Sequence, residues 1–187
     1  MKVMGRHCFV AMLLGLVVLE AAPVAISGWT EPAEVRHDTK LVLSYRAKWD
    51  GDFIVVRAVI EPGWHTFAMD NKQRQQEKLA GKLSLGIEKS TEITIDGLNV
   101  AGRWLQSTPK DFSKPEIRWF TWGFEDNATF AAKAHSTGSG PARVEIRGQA
   151  CAGEICKNIE VALTVPLAAR NSARTAAVDL RSLIPVR

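Results

Sequence analysis

The chain has 187 residues, a length that predicts a single domain. Its formal net charge is +4, and two of the positive charges, Lys2 and Arg6, lie in an amino-terminal segment that we expect to be removed. The remaining Lys and Arg residues are scattered among Asp and Glu without a run of like charge, which excludes nucleic acids and membrane surfaces as partners.

The amino-terminal segment has the order of a secretory signal. Basic residues are followed by an apolar run over residues 8–19 and then by small residues up to Gly28. The run is shorter than the roughly 20 residues of a membrane span, although a retained amphipathic or membrane anchor is the alternative. We predict a signal peptide over residues 1–27, cleaved near Ala25 to Ser27. No second stretch of spanning length follows, so the mature chain is predicted to be soluble.

The first part of the mature chain alternates apolar and polar residues, the period of two that a half-buried strand imposes. Strands are predicted over 41–49 and 54–60, and Asp50, Gly51 and Asp52 between them are typical of a hairpin turn. Each strand has one apolar face, formed by Leu41, Leu43, Tyr45, Ala47 and Trp49 in the first and by Ile54, Val56, Ala58 and Ile60 in the second.

Pro62 and Gly63 break this pattern. A short strand over 64–67 follows, with His65 and Phe67 on the same side. The polar stretch 70–81 is predicted to be a solvated loop that can include one helical turn.

The rest of the domain is predicted to be short strands separated by turn signals. Many short strands without a convincing amphipathic helix predict an all-β, immunoglobulin-like antiparallel β-sandwich over 28–167. The tail, residues 168–187, is expected to form one helical turn or to lie disordered. The further strands are predicted over 83–87, 92–95, 100–104, 117–124, 129–134, 143–150 and 159–165.

Cys151 and Cys156 remain once Cys8 is lost with the signal, so an intramolecular disulfide has one possible connectivity. The strands 143–150 and 159–165 are typical of a hairpin, and the cysteines bracket a four-residue loop in which Gly153 can take a positive φ. Opposed strand residues have Cα atoms about 4.5 to 5.5 Å apart, within the range of about 4.4 to 6.8 Å that a disulfide tolerates. The bond is therefore geometrically available.

Two uses of this pair stay open at this point. A six-residue loop constrains the unfolded chain by only about 2 kcal/mol, and an exposed bond at a hairpin tip is labile, which favours redox exchange. Most disulfides of exported proteins are nevertheless fixed staples. Arg147 and Lys157 would favour a thiolate, whereas Glu154 would oppose one.

A metal site that adds His65 to the cysteine pair is a weaker interpretation. The sequence has no fixed ligand spacing that would support it. We therefore expect no metal and no cofactor.

Several motifs resemble those of the amino-terminal periplasmic domain of the thiol:disulfide interchange protein DsbD. The segment GQAC at 148–151, followed after four residues by Cys156 and later by VPL at 165–167, resembles its cysteine segment. Upstream, EPGWHTF at 61–67 resembles its glycine-aromatic strand. The resemblance covers roughly residues 40–167, and the cysteine segment is its most specific part.

The resemblance implies an immunoglobulin-like domain that exchanges electrons through Cys151 and Cys156, with Cys156 the expected site of attack and the sulfurs as the redox centre. The implied partners are thioredoxin-like or disulfide-isomerase proteins of the periplasm, including cytochrome-maturation thioredoxins, and a separate membrane thiol reductant. We expect a monomer.

Aromatic residues shield the disulfide in that family. His65 and Phe67 match one such group by position, and Trp122, from the aromatic stretch 119–124, is nominated for a cap loop.

The sequence also departs from that family. Lys157, Asn158 and Ile159 follow Cys156 where the family usually has an aromatic or apolar residue and then proline. The membrane-embedded and thioredoxin-like domains of the family have no counterpart in this sequence, so the electron donor is expected to be a separate protein. The alternative function is a non-catalytic immunoglobulin-like binding domain with a purely structural disulfide. An enzymatic role, as a protein-disulfide reductase relay, holds only if the bond turns over.

Overall fold

The computed structural model describes residues 28–50, 52–82, 85, 88–138, 140–167 and 178–187. The predicted signal peptide therefore lies outside the described residues, together with most of the predicted strand 83–87 and the first half of the tail. Within the described ranges no helix is long and apolar enough to span a membrane.

The described chain is built almost entirely of strands, with one α-helix and two one-turn 3-10 helices at Pro115–Ile117 and Leu180–Ser182. In chain order the elements are β1 (Ala33–His37), β2 (Lys40–Asp50), β3 (Phe53–Ile60), β4 (His65–Phe67), α1 (Asn71–Lys78), β5 (Glu92–Asp96), β6 (Leu98–Gln106), β7 (Lys110–Asp111), β8 (Trp122–Phe124), β9 (Asn127–Ser136), β10 (Ala142–Ala152), β11 (Ile155–Val165) and β12 (Ile184–Pro185).

Two antiparallel sheets face each other across the core. The first has the order β1-β2-β3-β9-β6-β12, and the second has the order β11-β10-β4-β8-β7, with β5 paired to β10 beyond β4. The alternating apolar residues of both sheets point inward, and Phe124 of one sheet packs edge-on against Phe130 of the other at 5.5 Å between ring centroids. The predicted immunoglobulin-like antiparallel β-sandwich is confirmed.

Two predicted elements are wrong. The segment 117–124 is not one strand, because a 3-10 turn ending at Ile117 and a left-handed residue, Arg118 (φ 54°), precede the short strand β8. Residues 71–78 of the polar stretch 70–81 form the two-turn helix α1, where a solvated loop with one helical turn is predicted. Its buried residues are Asn71 and Gln75, so it lacks the apolar periodicity by which a helix is recognised.

Strands β1, β7 and β12 were not predicted at all. Strand β12 belongs to the tail, whose Ile184 pairs with Gln106 of β6. The extent of the domain, predicted as 28–167, stays a prediction.

A buried carboxylate joins α1 to the end of the chain. Asp70 accepts hydrogen bonds from Arg74 Nε at 2.8 Å, Gln106 Nε2 at 2.7 Å and the main-chain N–H of Arg187 at 3.2 Å. Burial alone would raise the pKa of Asp70, but these hydrogen bonds and the charge of Arg74 hold it below its ordinary value. The carboxylate therefore anchors three separate segments of the chain in its ionised form.

A glycine sets the spacing between β4 and β8. Gly123 lies opposite Phe67, and a Cβ added to it would stand 2.1 Å from the carbonyl oxygen of Thr66. The two strands can approach to hydrogen-bonding distance because this position has no side chain.

Replacement of this glycine by alanine should destabilise the domain strongly. In Gly123→Ala the new methyl group would force β4 away from β8, and we expect a loss of about 3 kcal/mol or more, read from the denaturant midpoint. Gly138→Ala is the matched control, because nothing lies within 4 Å of its added Cβ. That control should stay within about 0.5 kcal/mol. Equal effects of the two changes would contradict the close approach at Gly123.

The lowered pKa of Asp70 predicts that the stability of the domain depends on pH. Because its pKa is lower in the folded chain than in the unfolded one, its contribution is present above about pH 4 and is lost as the pH falls through the lowered folded-state pKa. Asp70→Asn should cost about 1–3 kcal/mol at neutral pH and flatten the acid limb of the stability curve. Asp96→Asn, at an exposed position, is the control. An unchanged acid limb in the Asp70 variant would contradict the assignment.

Candidate functional site

The hairpin of β10 and β11 carries both cysteines. Its ladder runs through Cys151 and Cys156 and ends where Ala152 faces Ile155. The predicted four-residue loop is therefore wrong, because its outer residues belong to the strands and the turn has two residues. This turn begins at Gly153, whose φ of 58° is the expected positive value. The cysteines are thus cross-strand neighbours within a regular ladder.

Cys151 and Cys156 form a disulfide, with the sulfurs 2.05 Å apart and the Cα atoms 4.1 Å apart. Ala152 and Ile155 close the tight turn as a hydrogen-bonded pair, so the cysteines, one step further along the ladder, form a non-hydrogen-bonded pair. The short Cα separation agrees with this alternation. Consequently the main-chain N–H and C=O groups of Cys156 point away from β10.

The two cysteines differ in their access to solvent. Cys151 is 3% exposed, whereas Cys156 is an exposed residue. The difference follows from topology, because β10 has a strand on each side at this point and β11 is the edge of its sheet. Residues 155–158 are all exposed, and Ile155 at the hairpin tip has 51% of its surface accessible. A molecule that approaches the disulfide therefore meets Cys156 first.

Cys151 and His65 lie opposite each other on β10 and β4, on the outer face of the sheet. The neighbouring pair, Ala150 and Thr66, is fully buried, and successive side chains of a strand alternate between faces. The Thr66 hydroxyl donates to a main-chain carbonyl of β10 at 2.9 Å and holds β4 in place. Cys156, Cys151 and His65 thus form a row across three neighbouring strands.

Two phenylalanine rings surround the His65 ring. Phe67 lies perpendicular to it at 5.3 Å between centroids, and Phe112 lies at 5.0 Å with a 33° tilt. Phe112 follows β7, and its main-chain N–H donates to the carbonyl of Thr121 at 3.0 Å. We call His65, Phe67 and Phe112 the aromatic wall. It stands on the Cys151 side of the disulfide and leaves the Cys156 side open.

The predicted site residues do not all meet. His65 and Phe67 lie beside the cysteines as expected, whereas Trp122 shares the core-facing side of β8 with Phe124 and packs against the core near α1. Trp119, from the same aromatic stretch, bonds to Glu88 through its indole N–H. Phe112 was missed, because a single aromatic residue in a polar segment carries no periodic signal.

Charged groups stand behind the aromatic wall. Burial lowers the pKa of His65, and the negative charge of Glu125 acts in the opposite direction. Glu125 is itself paired with Lys110 Nζ at 2.8 Å. The imidazole therefore lies between the disulfide and an ion pair, and its burial favours the neutral form.

A lysine from outside the hairpin bridges its two strands beside the cysteines. The Lys89 main-chain N–H donates to Gln149 Oε1 and its Nζ donates to Asn158 Oδ1, both at 3.3 Å. Gln149 and Asn158 face each other two cross-strand pairs from the cysteines, and therefore on the same side of the sheet. Lys89 thus joins a neighbouring segment to both strands of the hairpin near the cysteines.

The positive charges that were predicted to act on the cysteines are arranged differently. Arg147 lies near the carboxylates of Glu145 at 3.7 Å and Glu160 at 4.0 Å, and Lys157 is exposed. In the part of the chain that the structure describes, no group of three or more His, Cys, Asp or Glu residues is arranged to hold a metal ion.

No family model and no curated protein sequence matches the chain. Among solved structures, the N-terminal periplasmic domain of ScsB from Proteus mirabilis is similar, with 17% identity and a TM-score of 0.51 over 75% of this chain and 51% of that one. The chain thus spans about half the length of that structure. The Neisseria meningitidis DsbD N-terminal domain in the reduced form has 14% identity and a TM-score of 0.46 over 66% of this chain and 83% of its own. The likeness to the ScsB domain confirms the predicted fold.

Proposed function

We propose that the chain is an exported thiol:disulfide interchange module that relays electrons through the Cys151–Cys156 disulfide to or from thioredoxin-like proteins. The observation that carries the proposal is the asymmetry of the bond. Cys156 is an exposed residue at the open edge of a sheet, and Cys151 is buried on the same face beside the aromatic wall. A partner thiol can therefore attack Cys156 while Cys151 stays inside the domain.

The disulfide adds little as a staple. Its loop of six residues constrains the unfolded chain by only about 2 kcal/mol on the chain-entropy model. Main-chain pairing already joins the same two strands along eleven consecutive residue pairs, from Ala142 opposite Val165 to Ala152 opposite Ile155. The sandwich core does not depend on this bond, because the sulfurs lie on the outer face of the sheet. Exchange with a partner could therefore break it without loss of the fold.

The proposed reaction is a pair of thiol–disulfide exchanges. A partner thiolate attacks Cys156 Sγ, the bond between the two cysteines breaks, and Cys151 leaves with the electron pair as a thiolate. A second thiol of the partner then attacks its own mixed-disulfide sulfur and releases Cys156, so that the partner is oxidised and the domain is reduced. The reverse sequence passes the two electrons on to a disulfide partner.

Location and partners follow as part of the proposal. Support comes from the secretory pattern of residues 1–27 and from the fold shared with the N-terminal periplasmic domain of ScsB. We propose a periplasmic monomer with a membrane thiol reductant as electron donor. Disulfide isomerases or cytochrome-maturation thioredoxins are the proposed acceptors. Of the predicted binding residues, His65 and Phe67 would shape the partner's approach, and Trp122 stays an untested prediction.

Single cysteine variants should differ sharply in reactivity. Cys151→Ala leaves the exposed Cys156 thiol, whereas Cys156→Ala leaves a thiol that is buried. Each variant is mixed with a thioredoxin-like protein that has one cysteine, activated as its 5-thio-2-nitrobenzoate disulfide, and the released chromophore is followed. We expect Cys151→Ala to form the mixed disulfide about tenfold faster or more, because reactivity follows thiol access.

The double variant Cys151→Ala/Cys156→Ala is the control for non-specific release. Equal rates, or a faster reaction of Cys156→Ala, would contradict the assignment of Cys156 as the attacked sulfur. If neither single variant forms a mixed disulfide, the relay function is wrong.

The reduction potential separates a relay from a staple. Structural disulfides lie below about −300 mV, and exchanging ones lie higher. After equilibration of the mature chain with graded mixtures of reduced and oxidised dithiothreitol, we expect the Cys151–Cys156 couple above that limit. A value well below it would favour the alternative function, an immunoglobulin-like binding domain with a fixed disulfide.

A further inference from the structure

His65 lies opposite Cys151 on the neighbouring strand, and both a disulfide and charged groups lie near its ring. Directly opposed residues of antiparallel strands have Cβ atoms about 4.5 to 5.5 Å apart, so an imidazole nitrogen at this position can reach the Cys151 sulfur. The ring also touches Phe67 and Phe112. Beyond them lie the titratable groups Glu125 and Lys110, paired at 2.8 Å.

The exchange creates a negative charge on the sulfur of a buried residue, Cys151. When a thiolate attacks Cys156, the electron pair of the broken bond goes to Cys151, which is 3% exposed. A thiolate in such a position lacks most of its hydration and is therefore a poor leaving group. A proton delivered from a neighbouring side chain would remove this obstacle.

We propose that His65 is the acid–base residue of the exchange: it gives a proton to the Cys151 sulfur as the disulfide opens and takes it back when the disulfide re-forms. The inference rests on the proposed relay function and adds a specific role to a side chain of the same site. The partner thiol loses its proton to solvent and attacks Cys156 Sγ as R–S⁻, while the imidazole of His65 takes up a proton from solvent. The sulfur–sulfur bond breaks, and Cys151 leaves with the electron pair and takes the proton from the imidazolium.

Protons and electrons balance in this step. One S–S bond forms between the partner and Cys156 and one S–S bond breaks. One proton passes from the partner thiol to solvent, and one passes from solvent through His65 to Cys151. The imidazole returns to its neutral form. In the reverse direction the imidazole accepts the proton of the Cys151 thiol, so that the thiolate attacks the mixed disulfide and releases the partner.

The groups around His65 suit a shuttle that is uncharged at rest. Burial lowers the pKa of the imidazole and keeps it neutral before a partner arrives. The carboxylate of Glu125 opposes this effect and stabilises the transient imidazolium, while Lys110 holds that carboxylate in place. Phe112 packs against the ring. The Cys151 sulfur, charged as it leaves, faces the imidazole from β10.

The test compares reduction of the mature chain by dithiothreitol in the wild type, His65→Phe and His65→Gln. Both variants keep a side chain over Cys151 and remove the titrating ring. The second-order rate constant is divided by the fraction of dithiothreitol present as thiolate, from about pH 8 to about pH 5. The wild-type value should rise as the pH falls toward the imidazole pKa, because protonated His65 assists the departure of Cys151. In both variants it should be independent of pH and lower by on the order of 10²-fold at the acid end.

Two controls separate this role from a structural one. His135→Gln, at an exposed position on the other sheet, should keep the wild-type profile. In NMR titrations the His65 resonance should shift on reduction of the disulfide, because the ring then faces a Cys151 thiol in place of the disulfide. The His135 resonance should not respond to reduction.

The outcomes distinguish failure of this inference from failure of the relay. If the wild type is reduced readily and both variants reproduce its corrected rate and pH profile, His65 does not transfer the proton and the relay stands. If the wild type forms no mixed disulfide with thioredoxin-like proteins, the relay itself falls, whatever the profile with dithiothreitol.

Discussion

The pairing of β10 on both of its edges is the constraint on which the site depends. Along one edge it pairs with β11 over its whole length, and along the other it pairs first with β5 and then with β4. The change of partner occurs around Gly148, where a Cβ would stand 3.2 Å from the carbonyl oxygen of Ser90. The segment that leads into β5 can cross here because this residue has no side chain. Beyond the crossing, β4 reaches the hairpin and brings His65 opposite Cys151.

This arrangement gives two chemically identical residues different properties. Cys151 lies in an inner strand and Cys156 lies in an edge strand, so a single disulfide has a buried end and an open end. Natural sheets usually protect such edges against pairing with other chains. Here the edge beside Cys156 presents exposed residues and outward-pointing main-chain groups, which an extended segment of another protein can pair with.

Local patterns were enough to predict the sandwich and the hairpin. Alternating apolar residues identified β2 and β3, and Gly153 marked the turn, because each of these signals lies within a few neighbouring residues. The helix α1 was not recognised because its buried side chains, Asn71 and Gln75, are polar. The partners of Asn71, the Thr121 hydroxyl and the main chain of Trp122, lie in a distant segment.

The site itself was predictable only in part. The cysteines, His65 and Phe67 follow from spacing and resemblance. The row that joins them depends on the register of β10 against β4, and the contact between Phe112 and His65 joins segments far apart in sequence. Register between distant strands is set by the whole sheet, so neither feature has a local sequence signal. The side of β8 on which Trp122 lies is likewise set by the sheet, so the sequence alone did not show that this residue, predicted for a cap loop, faces the core.

The two-residue turn at the tip of the hairpin also determines what happens after the bond opens. Because the ladder is closed on both sides of the cysteines by main-chain hydrogen bonds, the reduced thiols remain facing neighbours rather than separating. A thiol held at contact distance acts at an effective concentration far above that of any free thiol. A mixed disulfide at Cys156 is therefore exposed at all times to attack by the Cys151 sulfur behind it. The lifetime of any covalent complex is set by how well the partner keeps that sulfur away from the bond.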